Sequence, residues 1–259
     1  MIIVSVKDRP TLHGKCGEAS DATVLCVKQE IFYWIGFVMS DHESRLEILR
    51  FGKMLHERGL IAATDGNISV RLNEVSALIT PTCISKGMMS TEDLLVVDMH
   101  GRKVSGFRDV TSEIGMHMTV YRMRPDINAI VHAHPPTATG FAACGLALDQ
   151  ALISEILLSL GGVPLARYAT PGTSEVSESL EPFIPGYDAV LMANHGVLTY
   201  GCDLMQAYMN METVEHFAKI ALVVKQLGCE NPLPAEQVSK LHEMRRRIQS
   251  YKSEQRTRA

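Results

Sequence analysis

The stretch INAIVHAHPPTATGFAACGL, Ile127–Leu146, sets the architecture of the chain around it. Its first half is apolar and rich in β-branched residues, the composition of a buried strand. Its second half opens on Pro135 and Pro136 and continues with small residues and Phe141, the pattern of a short helix with proline at its start. On a strand, alternate side chains share a face, so His132 and His134 point the same way. Two imidazoles at this spacing either share a metal ion or are polar residues near a strand end. The H-x-H pattern alone leaves both readings open.

Working outward, TSEIGMHMTVYRMRPD, residues 111–126, predicts a helix capped by Thr111 or Ser112 and closed before Pro125. Upstream, TDGNISVRL places turn chemistry at Asp65-Gly66-Asn67 before the alternating Ile68, Val70 and Leu72 of a strand. SALITPT is a second strand running into Pro81. LLVVDMHGRKVSG is a strand, a turn at His100-Gly101 and another strand. SDHE, residues 40–43, fits a capping box from Ser40 to Glu43. Leu46, Ile48, Leu49, Met54 and Leu55 follow at roughly helical spacing, with Gly59 placed to end that helix. Downstream, Gln150 to Leu160 reads as a helix and DAVLMANHG, residues 188–196, as a buried strand. A long helix runs from a cap at Asp203 to a stop at Gly228. Pro232 and Pro234 precede a charged final helix over 235–249, whose basic end reads as a solvated, fraying terminus. Strands cluster in the middle with helices before, between and after. The prediction is an α/β fold, three-layer α/β/α, with a mainly antiparallel central sheet.

Bulk composition narrows the class. With 46% hydrophobic and 21% charged residues, 259 residues suffice for a sizeable core. A net charge of −4 gives no electrostatic footprint for nucleic acid or an anionic membrane. No apolar stretch reaches the roughly 18 residues of a membrane span. Six cysteines without C-x-x-C spacing argue against a zinc ribbon or disulfide framework and for reduced thiols, hence a cytoplasmic protein. Residues 1–39 show no sustained period. They read as an N-terminal extension, disordered or lying upstream of a start at Met39, before a domain over 40–259.

Four pieces bear on the histidine pair. His132 and His134 share a strand face. His195 ends a buried strand, followed by Gly196, where the chain can turn sharply. Glu113 lies in the first turn of a helix with His117 one turn on. DGNIS and TPT offer backbone N–H, amide and hydroxyl groups in turns, which suit a phosphate. Three histidines leave one position open on a tetrahedral zinc, the pattern of a catalytic site. A nearby carboxylate such as Glu113 is a candidate acid/base. Each residue also has a plainer reading: His195 as a core or capping histidine, Glu113 as a charge favouring the helix dipole, Asn67 as a turn former.

Taken together and in order, GNISVR, LITPT, SEIGMH, RPDINAIVHAHP, YATPGT and NHGVLTYG resemble the class II aldolase/adducin family, in its L-fuculose-1-phosphate aldolase branch. The likeness runs from about Ser40 to about Leu227. It implies an α/β/α fold, one Zn2+ per subunit, a phosphorylated ketose as substrate and a homotetramer with sites at subunit interfaces. It assigns metal binding to His132, His134 and His195. It assigns the acid/base to Glu113, which also touches the metal when substrate is absent. It assigns the phosphate pocket to Gly66, Asn67, Thr82, Thr111 and Ser112. Two departures stand out. Cys83 follows TPT where the family pattern has glycine, placing Cys83 in the phosphate loop. A family tyrosine, contributed by the neighbouring subunit, has no counterpart in LISEILLSLGG, where Glu155 lies close to its position. A carboxylate donates protons near neutral pH only when burial raises its pKa. The leading expectation is reversible cleavage of a ketose 1-phosphate to dihydroxyacetone phosphate and a small aldehyde. Dehydratase chemistry of the methylthioribulose-1-phosphate type, 4-epimerase chemistry, and a non-catalytic module like the adducin head are the alternatives.

Overall fold

The computed structural model describes residues 40–258, so the expectations for residues 1–39 lie outside the described part. In chain order the elements are α1 (Asp41–Glu57), β1 (Asn67–Asn73), β2 (Ser76–Ile79), β3 (Leu95–Asp98), β4 (Lys103–Ser105), α2 (Ile114–Met123), β5 (Ala129–Ala133) and α3 (Pro136–Ala143). They continue with α4 (Ser154–Ser159), β6 (Leu165–Ala166), α5 (Ser174–Leu180), β7 (Ala189–Met192), β8 (Gly196–Gly201), α6 (Leu204–Leu227) and α7 (Ala235–Arg258). The strands form one sheet in the order β4-β3-β2-β1-β5-β8-β7-β6. Every pairing is antiparallel except β6 with β7. The expected mainly antiparallel α/β architecture is therefore what the chain adopts.

The central strands β5, β7 and β8 are buried on both faces, and strand alternation sorts the side chains of the sheet. Ile68, Leu78, Ala129, Val131, Ala133, Leu191 and Val197 point into a core shared with α1, α3 and α6. Their neighbours Ala77, Ile79, Ile130, Val190, Leu198 and Tyr200 point into a second core shared with α2 and α5. Two cores on opposite faces make the three layers. The alternation also fixes the chemistry: His132 has the parity of Ile130, and Asn67, Ser69 and Arg71 the parity opposite Ile68, so all four belong to the α2 face.

Several local signals hold. Ser40 and Glu43 form the capping box, with Glu43 N donating to Ser40 Oγ at 3.2 Å and Ser40 N to the Glu43 carboxylate at 2.8 Å. Asp203 caps α6, and Gly228 ends it in the left-handed region. Other expectations are corrected. Leu46 is exposed, the buried line of α1 being Ser44, Ile48, Phe51, Gly52 and Leu55. The helix read over 150–160 is only α4, since upstream of it the Ala151 carbonyl accepts from Leu233 N at 2.8 Å instead of from a helical turn. The final helix extends beyond 249, α7 continuing to Arg258, and where the basic stretch begins Arg245 Nη2 lies 3.6 Å from Asp188. β6, β8 and α5 appear where the pattern gave no element. Cys83, Cys144 and Cys229 are free thiols. Among the described residues, no helix is long and apolar enough to cross a membrane.

Candidate metal centre and active site

His132 and His134 come from the end of β5 and the residue after it, and His195 from the tight turn between β7 and β8. The turn is built by Asn194 at φ +55° and by Gly196. A methyl group on Gly196 would sit 2.5 Å from His134 Cδ2 and 2.7 Å from the Ala133 carbonyl oxygen, so glycine is what lets the His134 ring lie against the turn. On the other side Gly66, at φ +69°, backs onto the His132 carbonyl, 2.6 Å from where a Cβ would be. The β5–β8 register, Ala133 opposite Val197 and His132 opposite Leu198, then draws the three rings together. Their centroids lie 4.8 to 5.3 Å apart.

The cluster has a defined polarity. His132 Nδ1 donates to the Val197 carbonyl at 3.0 Å, and His134 Nδ1 faces the Asp65 carboxylate at 3.4 Å. With Nδ1 carrying the proton, each Nε2 presents its lone pair, and the two Nε2 atoms are only 3.1 Å apart. Burial pulls the pKa of both rings below the ordinary value, and the neighbouring imidazoles add to this, so they are neutral near pH 7. Glu113 completes the group, its Oε1 3.0 Å from His195 Nε2 and its Oε2 3.4 Å from His132 Nε2. Burial works against its charge, but His132, His195 and the amide of Asn67 outweigh it and hold the carboxyl far below the usual range.

These tendencies conflict unless something positive sits between them. An ionised Glu113 would draw a proton onto His132, whereas the complete burial of His132 keeps its ring neutral, and burial is the larger of the two effects. Lone pairs from neutral imidazoles then face an anion. Glu113 Oε1 and His195 Nδ1 are buried with no hydrogen bond of proper geometry, although Oε1 is at ion-pair distance from His195 Nε2. A divalent cation resolves this, and the donor set of three imidazoles and a carboxylate suits zinc or a similar ion. The residues fit a metal.

The expected phosphate residues fall on three adjoining turns. Gly66 and Asn67 lead into β1; Thr82 and the exposed Cys83 follow Pro81, which bridges Val110; Thr111 and Ser112 precede α2. Thr82 N donates to the Asp109 carbonyl at 3.2 Å, and Asn67 Nδ2 lies 3.5 Å from Thr111 Oγ1. Cys83 adopts φ +55°, the left-handed backbone that glycine occupies without strain. The cap of α2 differs from expectation. Glu113 itself is the N-cap, and its N–H donates to Thr111 Oγ1 at 3.3 Å, which aims the carboxylate out of the helix toward the histidines. Glu155 is not brought to the cluster within the protomer. It lies exposed on α4, accepting from Ser154 Oγ at 3.1 Å, without the burial its role as a proton donor requires.

Three participants were not anticipated. Asp65 backs His134, and the Val197 carbonyl backs His132. Lys86 is buried, and its ammonium donates to the Thr64 carbonyl at 2.7 Å and the Ile84 carbonyl at 3.0 Å, joining the first two turns. Burial pulls its pKa down to about 8, against the opposing pull of Asp65 and Glu113. The TDG turn signalled Asp65 only as a turn former, and nothing in SKG distinguishes a buried lysine from a solvated one.

Fold and site together define a class: an α/β/α protein that gathers three histidines and a carboxylate beside a cluster of polar turns. Residues 46–222 match the family model for the class II aldolase and adducin N-terminal domain. The chain is 32% identical over 201 residues to a 5-deoxy-D-ribulose 1-phosphate aldolase of Bacillus thuringiensis, covering 77% of this chain and 93% of that one. It is 31% identical over 189 residues to a 3-oxo-tetronate 4-phosphate decarboxylase of Pectobacterium atrosepticum, covering 71% and 86%. A solved L-fuculose 1-phosphate aldolase superposes with a TM-score of 0.74 at 35% identity, covering 80% of this chain and 98% of that one. The chain belongs to the class II aldolase and adducin family, and it is an enzyme of the lyase type.

Proposed function

We propose that the protein is a zinc-dependent aldolase that reversibly cleaves a ketose 1-phosphate, of the L-fuculose 1-phosphate kind, to dihydroxyacetone phosphate and a small aldehyde. The observation that carries this reading is the convergence of His132, His134 and His195 on an ionised Glu113 beside three polar turns. The three histidines would hold the ion, with Glu113 a further ligand until substrate arrives. Zinc bound there supplies Lewis-acid polarisation of the ketose carbonyl. Glu113, held by Asn67 at 2.7 Å, moves the proton at the dihydroxyacetone phosphate carbon. The backbone at Gly66 and Cys83, the amide of Asn67 and the hydroxyls of Thr82, Thr111 and Ser112 bind the phosphate. Their hold on this remote group orients the bond that breaks. Glu155 reaches such a site only across a subunit boundary, which a homotetramer with interfacial sites would supply.

A second reading has its own support, since several relatives are decarboxylases at nearly the same identity as the aldolases. Loss of CO2 from a phosphorylated keto acid also breaks a carbon–carbon bond beside a carbonyl, so the same groups serve. The test supplies the zinc-loaded enzyme with L-fuculose 1-phosphate, 5-deoxy-D-ribulose 1-phosphate and 3-oxo-tetronate 4-phosphate, following dihydroxyacetone phosphate and CO2. Dihydroxyacetone phosphate release from a ketose is expected; CO2 release from the keto acid alone overturns the aldolase reading. Glu113→Gln is expected to keep its zinc and lose at least about 100-fold in kcat. Full activity in that variant removes Glu113 from the chemistry.

A further inference from the structure

The α2 face of β1 and the β1 face of α2 carry polar residues at matched spacing. Asn67, Ser69 and Arg71 alternate along β1, and Glu113, His117 and Tyr121 recur every four residues from the N-cap through α2. Two strand residues advance about 6.6–6.8 Å and four helix residues about 6.0 Å, so the two rows stay in step. They interlock along their length. Asn67 Nδ2 donates to Glu113 Oε2 at 2.7 Å, and Asn67 Oδ1 meets His117 Nε2 at 2.5 Å. His117 Nδ1 meets Ser69 Oγ at 2.7 Å, and Ser69 Oγ meets Tyr121 Oη at 2.8 Å. Arg71 closes the far end, donating to the Tyr121 carbonyl at 2.8 Å with its guanidinium 4.6 Å from the centre of the tyrosine ring. Asn67, Ser69, His117 and Tyr121 are all buried.

The carboxylate at one end and the neutral, buried ring of His117 together set the direction of every proton in this chain. A carboxylate only accepts, so Asn67 must turn its NH2 toward Glu113 and its carbonyl oxygen toward His117. His117 must then carry a proton on Nε2, and because its complete burial favours the neutral ring it has no second proton and accepts at Nδ1 from the Ser69 hydroxyl. Ser69 has spent its one proton, so Tyr121 donates to it. All the donors therefore point toward Glu113, and aligned bonds of this kind polarise and strengthen one another.

We propose that His117, backed by Ser69 and Tyr121, is a positioning residue that locks the amide of Asn67 with its N–H toward Glu113 and so fixes the carboxylate against the histidine cluster. The proposal rests on the aldolase reading for the activity it predicts, but its central claim concerns a proton position that is read without substrate. In 15N-labelled protein, the long-range proton–nitrogen spectrum is expected to show His117 as the neutral Nε2–H tautomer. A Nδ1–H tautomer or an imidazolium at pH 7.5 overturns the proposal, whatever the enzyme cleaves. With L-fuculose 1-phosphate as the probe, His117→Phe is expected to lower kcat roughly 10–100-fold, in the range of other residues that orient a metal-site group, with KM little changed. His117→Gln, which keeps a donor toward Asn67 and an acceptor toward Ser69, is expected to recover most of that loss. Equal kcat in the two variants, at matched zinc content and thermal stability, overturns the positioning role. If the wild-type enzyme cleaves neither this sugar phosphate nor 5-deoxy-D-ribulose 1-phosphate, the aldolase reading fails, and the tautomer decides the relay on its own.

Discussion

At the scale of single residues, the site depends on atoms that are missing as much as on groups that are present. Gly196 has no side chain where His134 needs room, and the space a methyl would take is already occupied by the ring and by the Ala133 carbonyl. Gly196→Ala must therefore push His134 out of line or open the β7–β8 turn. The expected result is a fall in zinc affinity of roughly 10–100-fold, measured by competition with a chromophoric chelator. A stability loss of about 1–3 kcal/mol accompanies it, measured by urea denaturation. Unchanged zinc affinity would show that His134 is not held by this contact. The histidines and Glu113 were legible in the sequence because their residue types announce chemistry. Asp65, the Val197 carbonyl and Lys86 were not, because their parts arise from which backbone and which loop lie next to them in space.

Among elements, α3 is held in a way its sequence hides. Its N-terminus is made by the two prolines after His134, Pro135 as N-cap and Pro136 as first helical residue, and the backbone donors that follow need an acceptor. Glu215 of α6 supplies it, taking N–H groups from Thr137 at 3.1 Å and Ala138 at 3.0 Å while itself buried. Lys219, one turn on and mostly exposed, lies 3.4 Å from the same carboxylate. Glu215→Ala strands both N–H groups and is expected to cost about 1–3 kcal/mol in urea unfolding. Lys219→Ala removes only a solvent-screened partner and is expected to cost less than about 1 kcal/mol. Equal effects from the two would mean that the ion pair, not the helix cap, matters. The same scale explains what the sequence pattern missed. β8, GVLTYG, is buried at every position, so it shows no alternation, and its leading glycine reads as a turn. α5, SEVSESL, is too rich in serine to announce a helix, and β6 is two residues long. α1 and α6 were legible because each is capped by its own side chain, Ser40 and Asp203.

For the molecule as a whole, the sheet is the frame on which the site is assembled. Nearest-neighbour patterning along the chain was enough to foresee a layered, mainly antiparallel fold, since two periods and a handful of caps suffice for that. The order of the strands was out of reach, because it depends on contacts between distant segments. That order has a kinetic meaning. His132 meets the backbone of Val197, 65 positions along the chain, only when β5 and β8 have paired. Closing so long a loop is slow, and before it closes no three-histidine site exists for an ion to join. An ion that binds only the finished arrangement adds nothing to the barrier on the way in and all of its affinity to the barrier on the way out. Stopped-flow measurements are therefore expected to show zinc leaving the refolding rate unchanged and slowing unfolding about tenfold for each 1.4 kcal/mol of binding free energy at the zinc level used. Refolding accelerated by zinc would show that the histidines gather before the central strands do. In a cell, a chain with this arrangement would complete its sheet first, and a cation taken up by the histidines would then lengthen its life without hastening its folding.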